Sequence, residues 1–211
     1  MKNKLNCNVG DRREFVLKVA KEMFSINGFH NTSIRDIAGV VPMNTSMVSY
    51  YFQNKENLLL QILDDIQRDI LEIFAAIKLH TDYKEKLKAF IERCIDYSCS
   101  SVNGVRLLFQ TLVIDVSEPI VNKAREIVAM FQNFFVNLID KGKIEGCFIT
   151  IESSNVLYNF VLGTINNALQ CLEIQELKNE NECQLLMQEV NLFITKGLSF
   201  YLGCDLTSGT K

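Results

Sequence analysis

The stretch that decides the fold is residues 12–62, RREFVLKVAKEMFSINGFHNTSIRDIAGVVPMNTSMVSYYFQNKENLLLQI. Its first part carries apolar residues at helical spacing, which predicts an amphipathic helix with one buried stripe, formed by Val16, Val19, Ala20, Met23 and Phe24. Asn27-Gly28 follows this stripe, and glycine tolerates the left-handed conformation that commonly ends a helix. The stretch therefore opens with one helix that stops near residue 27.

A short second helix follows, and residue type marks both its start and its end. Thr32 or Ser33 can cap its first turn, and Ser33-x-x-Asp36 is a variant of the capping box. The apolar positions of this segment again share one helical face, and they are Ile34, Ile37, Ala38 and Val41. Pro42 then ends the helix, because proline lacks the N–H donor and restricts the residue before it.

A third helix begins after this turn and is polar on one face. Asn44 can cap it, while Val48 and Phe52 face inward at i and i+4. The outward set holds hydroxyls, a thioether and a phenol but no carboxylate, which suits the major groove of duplex DNA; it is Thr45, Ser46, Met47, Ser49 and Tyr50. Thr32 and Asn44, from the caps, complete the candidate DNA contacts of these two helices.

The next helix is long and begins with a cation. Asn54 can cap it, which places Lys55 at its N-terminus. A positive side chain beside the free N–H groups of a first helical turn makes a phosphate-binding position. Lys55 is therefore the candidate clamp for the DNA backbone.

These features together resemble the N-terminal helix-turn-helix domain of the TetR family of bacterial regulators. The resemblance is carried by the ordered caps, the apolar periodicity, the run Tyr50-Tyr51-Phe52 and the run KENLL at residues 55–59. It implies that Tyr51 and Lys55 contact the DNA backbone. Two positions depart from the family pattern, since Pro42 stands where glycine is usual and Ser49 where tyrosine is usual. Base preference therefore does not carry over from relatives.

The resemblance also implies the organisation of the whole chain. It predicts an all-α, TetR-like fold with a three-helix DNA-binding domain at residues 1–54. A larger helical domain for effector binding and dimerisation follows at residues 55–204. Residues 205–211 are predicted to be a disordered tail.

The distribution of charge agrees with a DNA-binding N-terminal segment. The chain has a formal net charge of −3 at pH 7, which by itself is unusual for a protein that binds DNA. Residues 1–62, however, carry eight Lys and Arg against five Asp and Glu, and the rest carries fourteen against twenty. The basic excess therefore coincides with the helix-turn-helix.

Other function classes lack the residue patterns that they need. The seven cysteines show neither CxxC nor zinc-finger spacing and follow no signal-peptide pattern, which predicts free thiols in the cytoplasm. Cys94 and Cys99 are the runner-up as a redox pair, although i and i+5 do not share a helix face. His30 and His80 have no metal-ligand neighbours. No catalytic pair, cofactor motif or membrane-length apolar segment is present, so we predict a non-enzymatic protein without metal, cofactor or membrane span.

Beyond Lys55 the sequence predicts helices only. Proline occurs twice in the chain, at 42 and 119, and strand-like alternation of useful length is missing. The predicted helices are about 55–79, 83–101, 105–115, 119–141, 152–172 and 182–203. Pro119 is suited to a first helical position, and residues 147–151 are predicted to form a short extended link.

The last two predicted helices are apolar over more than one face, which requires a second surface to cover them. The resemblance implies a homodimer formed by a four-helix bundle of these helices, and a monomer with two central helices is the alternative. Gly197 would allow a close helix approach. The predicted interface residues are Phe160, Val161, Thr164, Ile165, Ala168, Val190, Phe193, Ile194, Gly197 and Tyr201.

The middle helices hold the candidate effector site. Phenylalanines cluster there beside a few polar groups, which permits an apolar or amphipathic ligand. A packed aromatic core explains the same pattern. The candidate residues are Tyr97, Arg106, Phe109, Gln110, Phe131, Phe134 and Tyr158.

The sequence therefore favours a transcriptional repressor that binds a pseudo-palindromic double-stranded DNA operator as a homodimer. A small apolar or amphipathic effector would release it by shifting the population of dimers. The alternative is a DNA-binding nucleoid or division factor of the same fold without a small-molecule sensor. An enzyme with a helix-turn-helix appendage is a third class, which no catalytic motif supports.

Overall fold

The computed structural model describes residues 9–174 and 180–207, and within these ranges the chain is helical with no strand. The all-α prediction is confirmed. The helices are α1 (Val9–Asn27), α2 (Ile34–Val40), α3 (Thr45–Phe52), α4 (Lys55–Lys78), α5 (Tyr83–Ser100), α6 (Val102–Thr111), α7 (Glu118–Ile144), α8 (Ser154–Ile174) and α9 (Glu180–Leu202).

The position of α6 departs most from its prediction. The sequence predicts that this helix begins at about residue 105, after Asn103-Gly104, whereas α6 begins at Val102. Gly104 is buried inside the helix, and Asn103 accepts a hydrogen bond from the Ser25 hydroxyl at 3.0 Å. The glycine therefore packs inside a helix rather than ending one.

The chain divides into two compact units. Unit 1 contains residues 9–68 and 103–127 of the described chain, and unit 2 contains residues 69–102, 128–174 and 180–207. Along the chain, the divisions between the units fall within α4, at the start of α6 and within α7. The boundary at residues 54/55 between the DNA-binding domain and the larger helical domain stays a prediction, because the two compact units are defined by packing and not by function.

The core of unit 1 contains the inward faces that the sequence predicts. Val16, Ala20 and Phe24 of α1 are buried, as are Ile37 of α2 and Val48 of α3. At about 25 cal/mol per Å² of apolar surface, burial of such side chains is the main stabilising term for these short helices. This core fixes the orientation of α3, whose opposite face is polar.

The predicted stops and caps of the first helices are confirmed. Gly28 has φ of 86°, the left-handed conformation that ends α1. Ser33 forms a capping box with Asp36: each backbone N–H donates to the other side chain, at 3.2 Å to the Ser33 hydroxyl and 2.8 Å to the Asp36 carboxylate. The Asn44 side chain accepts from the Met47 N–H at 2.8 Å, and Asn54 accepts from the Asn57 N–H at 2.7 Å.

Removing the α2 cap is expected to destabilise unit 1 measurably. Ser33→Ala deletes the hydroxyl that accepts from the Asp36 N–H, and losing an N-cap of this kind costs about 1 kcal/mol. Chemical denaturation should report that loss in the free energy of unfolding. Ser46→Ala is the matched control, because Ser46 is exposed on α3. Equal stability of the two variants would contradict this role for Ser33.

The same box depends on pH in a defined direction. Hydrogen bonds from the Ser33 side chain, and then from its backbone, lower the pKa of Asp36 below its ordinary value. A carboxyl with a lowered folded pKa stabilises the fold above its unfolded pKa near 4, and this contribution is lost as pH falls through the folded value. The stability gap between wild type and Ser33→Ala should therefore narrow below about pH 4.

Unit 2 is built on the packing of α5, α8 and α9 against one another. Its core holds Leu87 and Phe90 of α5, Leu157 and Val161 of α8, and the α9 series Val190, Ile194, Leu198 and Leu202. Residues at i, i+4 and i+8 of α9 thus form one buried stripe. The rest of α9 has to meet solvent or another surface.

Residues 145–153, between α7 and α8, form the link whose central part was predicted to be extended. The Ile149 N–H in this link donates to the Leu202 carbonyl at the end of α9, at 2.8 Å. Beyond α9, Leu206 is fully buried and its N–H donates to the Ser199 hydroxyl at 3.0 Å. The predicted disordered tail is therefore wrong for residues 205–207, because a leucine there packs in the core. Residues 208–211 lie outside the described part of the chain.

Across the described residues, no helix combines the length and the apolar character that crossing a membrane would require.

Candidate nucleic-acid interface

Helix α3 presents the surface that sequence reasoning assigned to DNA. Val48 and Phe52 are fully buried and anchor the helix from below. The side chain of Tyr50 is 83% exposed. Thr45 and Ser46 are also exposed, and Met47, Ser49 and Tyr51 are half-buried. The structure therefore brings six of the predicted contacts together on one short helix.

Two aromatic rings form the end of this surface. The Tyr50 and Tyr51 rings meet edge to face, with centroids 5.6 Å apart, a geometry that aromatic pairs favour. Tyr51 is held further by the Phe52 ring at 6.4 Å. The Tyr50 ring thus projects into solvent and contacts the protein through the Tyr51 ring.

Asn44 and Thr32, the two predicted DNA contacts from the helix caps, differ in their exposure to solvent. Asn44 is exposed, and its side-chain oxygen is already engaged by the α3 cap. Thr32 is buried, and its hydroxyl donates to the carbonyls of Gly28 at 2.9 Å and Met23 at 3.3 Å. The prediction of Thr32 as a DNA contact is corrected, because its hydroxyl is directed inward to the carbonyls that end α1.

Lys55 lies at the first position of α4, where the sequence places it, but its ammonium already makes contacts within unit 1. Its ammonium donates to the Phe29 carbonyl at 2.8 Å and lies 4.3 Å from the centre of the Phe29 ring. A cation–π contact of this kind holds the loop between α1 and α2 against α4. Lys55 must rearrange or share this bond in order to bind phosphate, so its DNA role stays a prediction.

The predicted effector residues fall into two groups. Arg106, Phe109 and Gln110 lie on α6 in unit 1, where each is half-buried. The Gln110 amide donates to the Ser25 carbonyl at 3.2 Å. Gln110 thus fastens α6 to α1, a contact that sequence reasoning did not foresee because it joins residues 85 positions apart.

The other effector candidates belong to an aromatic cluster in unit 2, defined by Phe74, Phe90, Phe131, Phe134, Phe135 and Tyr158. Phe74 and Phe134 stack with ring centres 3.9 Å apart, and Phe90 lies 5.1 Å from Phe131. The Tyr158 ring completes the cluster at 5.9 Å from Phe135. Tyr97, the remaining candidate, lies outside this cluster; it is half-buried in the same unit, and its hydroxyl donates to Asp69 at 3.4 Å.

Tyr158 is unusual within this cluster because its polar atom is buried without a partner. The residue is 4% exposed, and its hydroxyl makes no hydrogen bond within the described part of the chain. Burial, and then the neighbouring Cys94 thiol, raise the pKa of Tyr158 to about 12. The Cys94 thiol is buried too, and this raises its pKa well above the ordinary value. At neutral pH the site therefore offers a neutral O–H donor in apolar surroundings.

The predicted interface residues divide between core and surface. Val161, Ile165, Ala168, Val190 and Ile194 are buried in unit 2. Their assignment to an intersubunit surface is corrected, because they fill the core of their own chain. Phe193 is 59% exposed, Tyr201 is also exposed, and Phe160 and Thr164 are half-buried.

Gly197 does allow a close approach, but within one chain. A Cβ at this position would lie 2.8 Å from Cζ of Phe160, so the glycine gives the Phe160 ring its place against α9. Phe160 also lies 5.8 Å from the Phe193 ring and 6.3 Å from the Tyr201 ring. These ring contacts join α8 to α9 within one chain.

An outer face of α8 and α9 remains uncovered, and the predicted interface list omitted most of it. We define it as Val156, Gly163, Leu185, Leu192, Phe193 and Phe200. Each is exposed, with Phe200 at 81%. On α9 these positions follow a helical stripe that is out of phase with the core stripe. This difference in phase was the sequence signal that could have identified the outer face, because apolar content alone does not separate the two faces of the helix.

Comparisons with known proteins agree with this architecture. Residues 16–62 match the sequence profile described as bacterial regulatory proteins, tetR family. The chain is 30% identical over 86 residues to NicS, an HTH-type transcriptional repressor of Pseudomonas putida, covering 40% of this chain and 41% of NicS. It is 26% identical over 101 residues to FasR, an HTH-type transcriptional activator of Mycolicibacterium smegmatis, covering 47% and 46%. The match thus spans less than half the length of each of these curated relatives.

Solved structures share the fold over most of the chain. The MbdR regulator from Azoarcus sp. CIB superposes with a TM-score of 0.77 at 21% identity, covering 88% of this chain and 97% of MbdR. The transcriptional regulator FadR from Bacillus subtilis, solved in complex with stearoyl-CoA, gives 0.68 at 19% identity, covering 87% and 98%. At these identities the likeness establishes the fold alone.

Proposed function

Because this chain belongs to the tetR family of bacterial transcriptional regulators, which are not enzymes, we propose that it is a cytoplasmic repressor. It binds a pseudo-palindromic operator as a homodimer, and a small effector with an apolar body releases it. The observation that carries the DNA-binding part is α3, an exposed polar and aromatic helix held from below by Val48 and Phe52.

The chemistry of α3 supports major-groove binding. Hydroxyl groups of Thr45 and Ser46 can bond base edges or phosphate, and the Tyr50 ring can contact a thymine methyl group. No side chain of α3 carries a negative charge that would repel the backbone. One short helix reads few base pairs, and a two-fold dimer doubles the contacts at a spacing set by the protein.

We favour repression over activation because the repressor is the more similar of the two curated relatives. NicS, a repressor, is 30% identical over its matched segment, and FasR, an activator, is 26% identical. Both matches cover less than half of the relative, so regulation in either direction is compatible with the same DNA-binding helix. A reporter gene placed behind the operator distinguishes the two directions.

The effector part of the proposal rests on the Tyr158 hydroxyl. A buried donor without a partner costs about 1–3 kcal/mol, and a ligand acceptor that bonds it recovers that cost only in the bound state. The surrounding rings of Phe131 and Phe135 favour an apolar body. A ligand with a carbonyl oxygen on an acyl chain meets both conditions, and FadR was solved with stearoyl-CoA. We therefore propose an acyl thioester or a related acyl compound as effector.

Hydrogen bonds within unit 1 support the proposal that this unit responds to an effector. The Ser25 hydroxyl near the end of α1 donates to Asn103, and the Gln110 amide donates to the Ser25 carbonyl. The Ser117 N–H, just before α7, donates to the Glu56 carboxylate of α4 at 3.3 Å. Any movement of α6 therefore changes the support of α1, and α1 packs against α2. Release requires an effector that binds one arrangement more tightly than the other.

Selection of genomic fragments by the purified full chain tests DNA binding. Recovered fragments should share a two-fold symmetric element, and fluorescence anisotropy should give a dissociation constant at least about 10³ tighter than for random duplex. Equal affinity for recovered and random fragments would exclude an operator-specific repressor.

Tyr158→Phe is expected to weaken binding of stearoyl-CoA. The change keeps the ring in the aromatic cluster and removes only the hydroxyl, which should cost about 1 kcal/mol of ligand affinity, roughly fivefold. Isothermal titration of wild type and variant measures this. Tyr83→Phe is the control, since Tyr83 is half-buried at the start of α5 and outside the cluster.

The sensor-free alternative is favoured by one observation, the direct ring-to-ring packing of the aromatic cluster. A cluster that stays filled leaves no place for an acyl chain. If no compound in a series of acyl thioesters and free fatty acids shifts the melting temperature or releases DNA, the sensor-free DNA-binding factor becomes the better proposal.

A further inference from the structure

Two cysteines approach each other where the link after α7 meets the end of α9. The backbone hydrogen bond from the Ile149 N–H to the Leu202 carbonyl is 2.8 Å long. Just beyond it, the α-carbon of Gly203 comes so near that a Cβ there would lie 3.0 Å from the Ile149 carbonyl oxygen. Cys147 lies two residues before Ile149, and Cys204 lies two residues after Leu202. The contact therefore holds both cysteines at one junction.

Both thiols are free, partly exposed and within electrostatic reach of each other. Burial raises the pKa of Cys204; Lys84 opposes this increase, while Asp205, Cys147 and Asp82 add to it. The interaction between the two sulfurs agrees with the backbone contact that joins their segments. Cys94, in contrast, is buried in the core, and Cys99 lies on α5.

We propose that Cys147 and Cys204 are a peroxide-sensitive pair that forms an intramolecular disulfide. Disulfides in reducing compartments are typically transient and serve redox sensing. The two thiols lie in one compact unit, one on the link and one just beyond the helix end, and these two segments already bond to each other. Nothing in the DNA-binding proposal requires this pair of cysteines, so the failure of one proposal would leave the other unaffected.

The reaction balances with hydrogen peroxide as the oxidant. The thiolate of Cys147 attacks one peroxide oxygen, the O–O bond breaks, and a sulfenic acid and one water result after proton transfer. The sulfur of Cys204 then attacks the sulfenic sulfur, the S–O bond breaks, and a second water leaves with the thiol proton. Two thiols are oxidised to one disulfide and one peroxide is reduced to two waters. Because burial raises the pKa of the Cys204 thiol, we assign Cys204 to the second step, the attack on the sulfenic sulfur.

Mass spectrometry of the full chain treated with hydrogen peroxide, followed by alkylation of the remaining thiols, tests the proposal. Digestion after lysine joins residues 144–178 to residues 197–211 if the bond forms. The first of these peptides also contains Cys171, so further cleavage after Glu145 and Glu152 isolates Cys147 on residues 146–152. The expected product links residues 146–152 to the Cys204 peptide, lacks two hydrogen atoms, and separates on reduction with dithiothreitol.

Matched serine variants make the outcome decisive. Cys147→Ser and Cys204→Ser should each abolish the linked product, whereas Cys99→Ser should leave it unchanged. Non-reducing electrophoresis should show the oxidised wild type at the mobility of a single chain. Recovery of both cysteines as separately alkylated peptides overturns the proposal. So does a linked product that joins Cys147 to another cysteine or to a second chain.

Discussion

Phe193→Glu is expected to dissociate the proposed homodimer into monomers at micromolar concentration. Phe193 is 59% exposed on the outer face of α8 and α9, beside Phe200 and Leu192. A homodimer with two-fold symmetry buries this residue twice. Each glutamate would lose its hydration without gaining a partner, at a cost of about 3 kcal/mol or more. The dissociation constant should therefore rise by roughly four orders of magnitude.

The outer face makes a second copy of the chain the best-supported partner. Its large apolar residues lie at 185, 192, 193 and 200 of α9 and at 156 of α8, and apolar side chains exposed together on one face are typical of interaction surfaces. Gly163 lies on the same face with no atom within 4 Å of an added Cβ, which leaves room for close approach of a facing helix. Polar residues such as Asn159 and Asn167 border it on α8.

Sedimentation velocity across a concentration series measures the expected dissociation. Leu71→Glu is the control, because Leu71 is an exposed apolar residue of the same unit on α4. Circular dichroism of both variants separates dissociation from unfolding, since Phe193 lies outside the subunit core. A wild-type protein that sediments as a monomer at micromolar concentration would contradict the dimer, as would a Phe193→Glu variant that stays dimeric.

Tyr50→Ala is expected to reduce discrimination between operator and random DNA. The ring is the most exposed large side chain of α3, at 83%, so its removal leaves the packing of unit 1 intact. A side chain that contacts a base contributes about 1–3 kcal/mol of discrimination per site. Two half-sites in a dimer double this effect, which corresponds to a loss of roughly 30-fold or more.

Binding isotherms on operator and random duplex at two salt concentrations provide the measurement. A base contact predicts a loss confined to the operator and an unchanged dependence on salt, because phosphate neutralisation sets the salt slope. Tyr50→Phe separates the two parts of the side chain: it keeps ring contact with a thymine methyl and removes only the hydroxyl bond. Equal operator affinity of wild type and Tyr50→Ala would show that α3 does not recognise the operator through this residue.

The sequence alone determined the local structure of residues 12–62. Caps at Ser33, Asn44 and Asn54 and the stop at Gly28 depend on residues within four positions of one another, so the chain specifies them without distant partners. The inward positions Val48 and Phe52 follow from helical spacing for the same reason. The all-helical class and the family resemblance depend on these local signals.

Contacts between distant residues were beyond the reach of such reasoning. Even over shorter separations polarity misleads: Thr32 is as polar as its exposed neighbours, and only the structure shows that its hydroxyl donates to the carbonyls of Met23 and Gly28. Gln110 bonds the Ser25 carbonyl, and Lys55 bonds the Phe29 carbonyl. Composition cannot distinguish a side chain that is free to bind a ligand from one that already has a hydrogen-bond partner in the fold.

The division of apolar residues in α8 and α9 was likewise decided by tertiary structure. Both helices are apolar over a wide arc, which the sequence states plainly. Which part of the arc faces α5 depends on how three helices pack, and this packing buries Val190 and Ile194 while leaving Phe193 and Phe200 outside. The sequence thus predicted that a second surface is needed and which helix would read DNA. The fold alone decided which residues form that surface, because helix rotation is set by the combined packing of all neighbours.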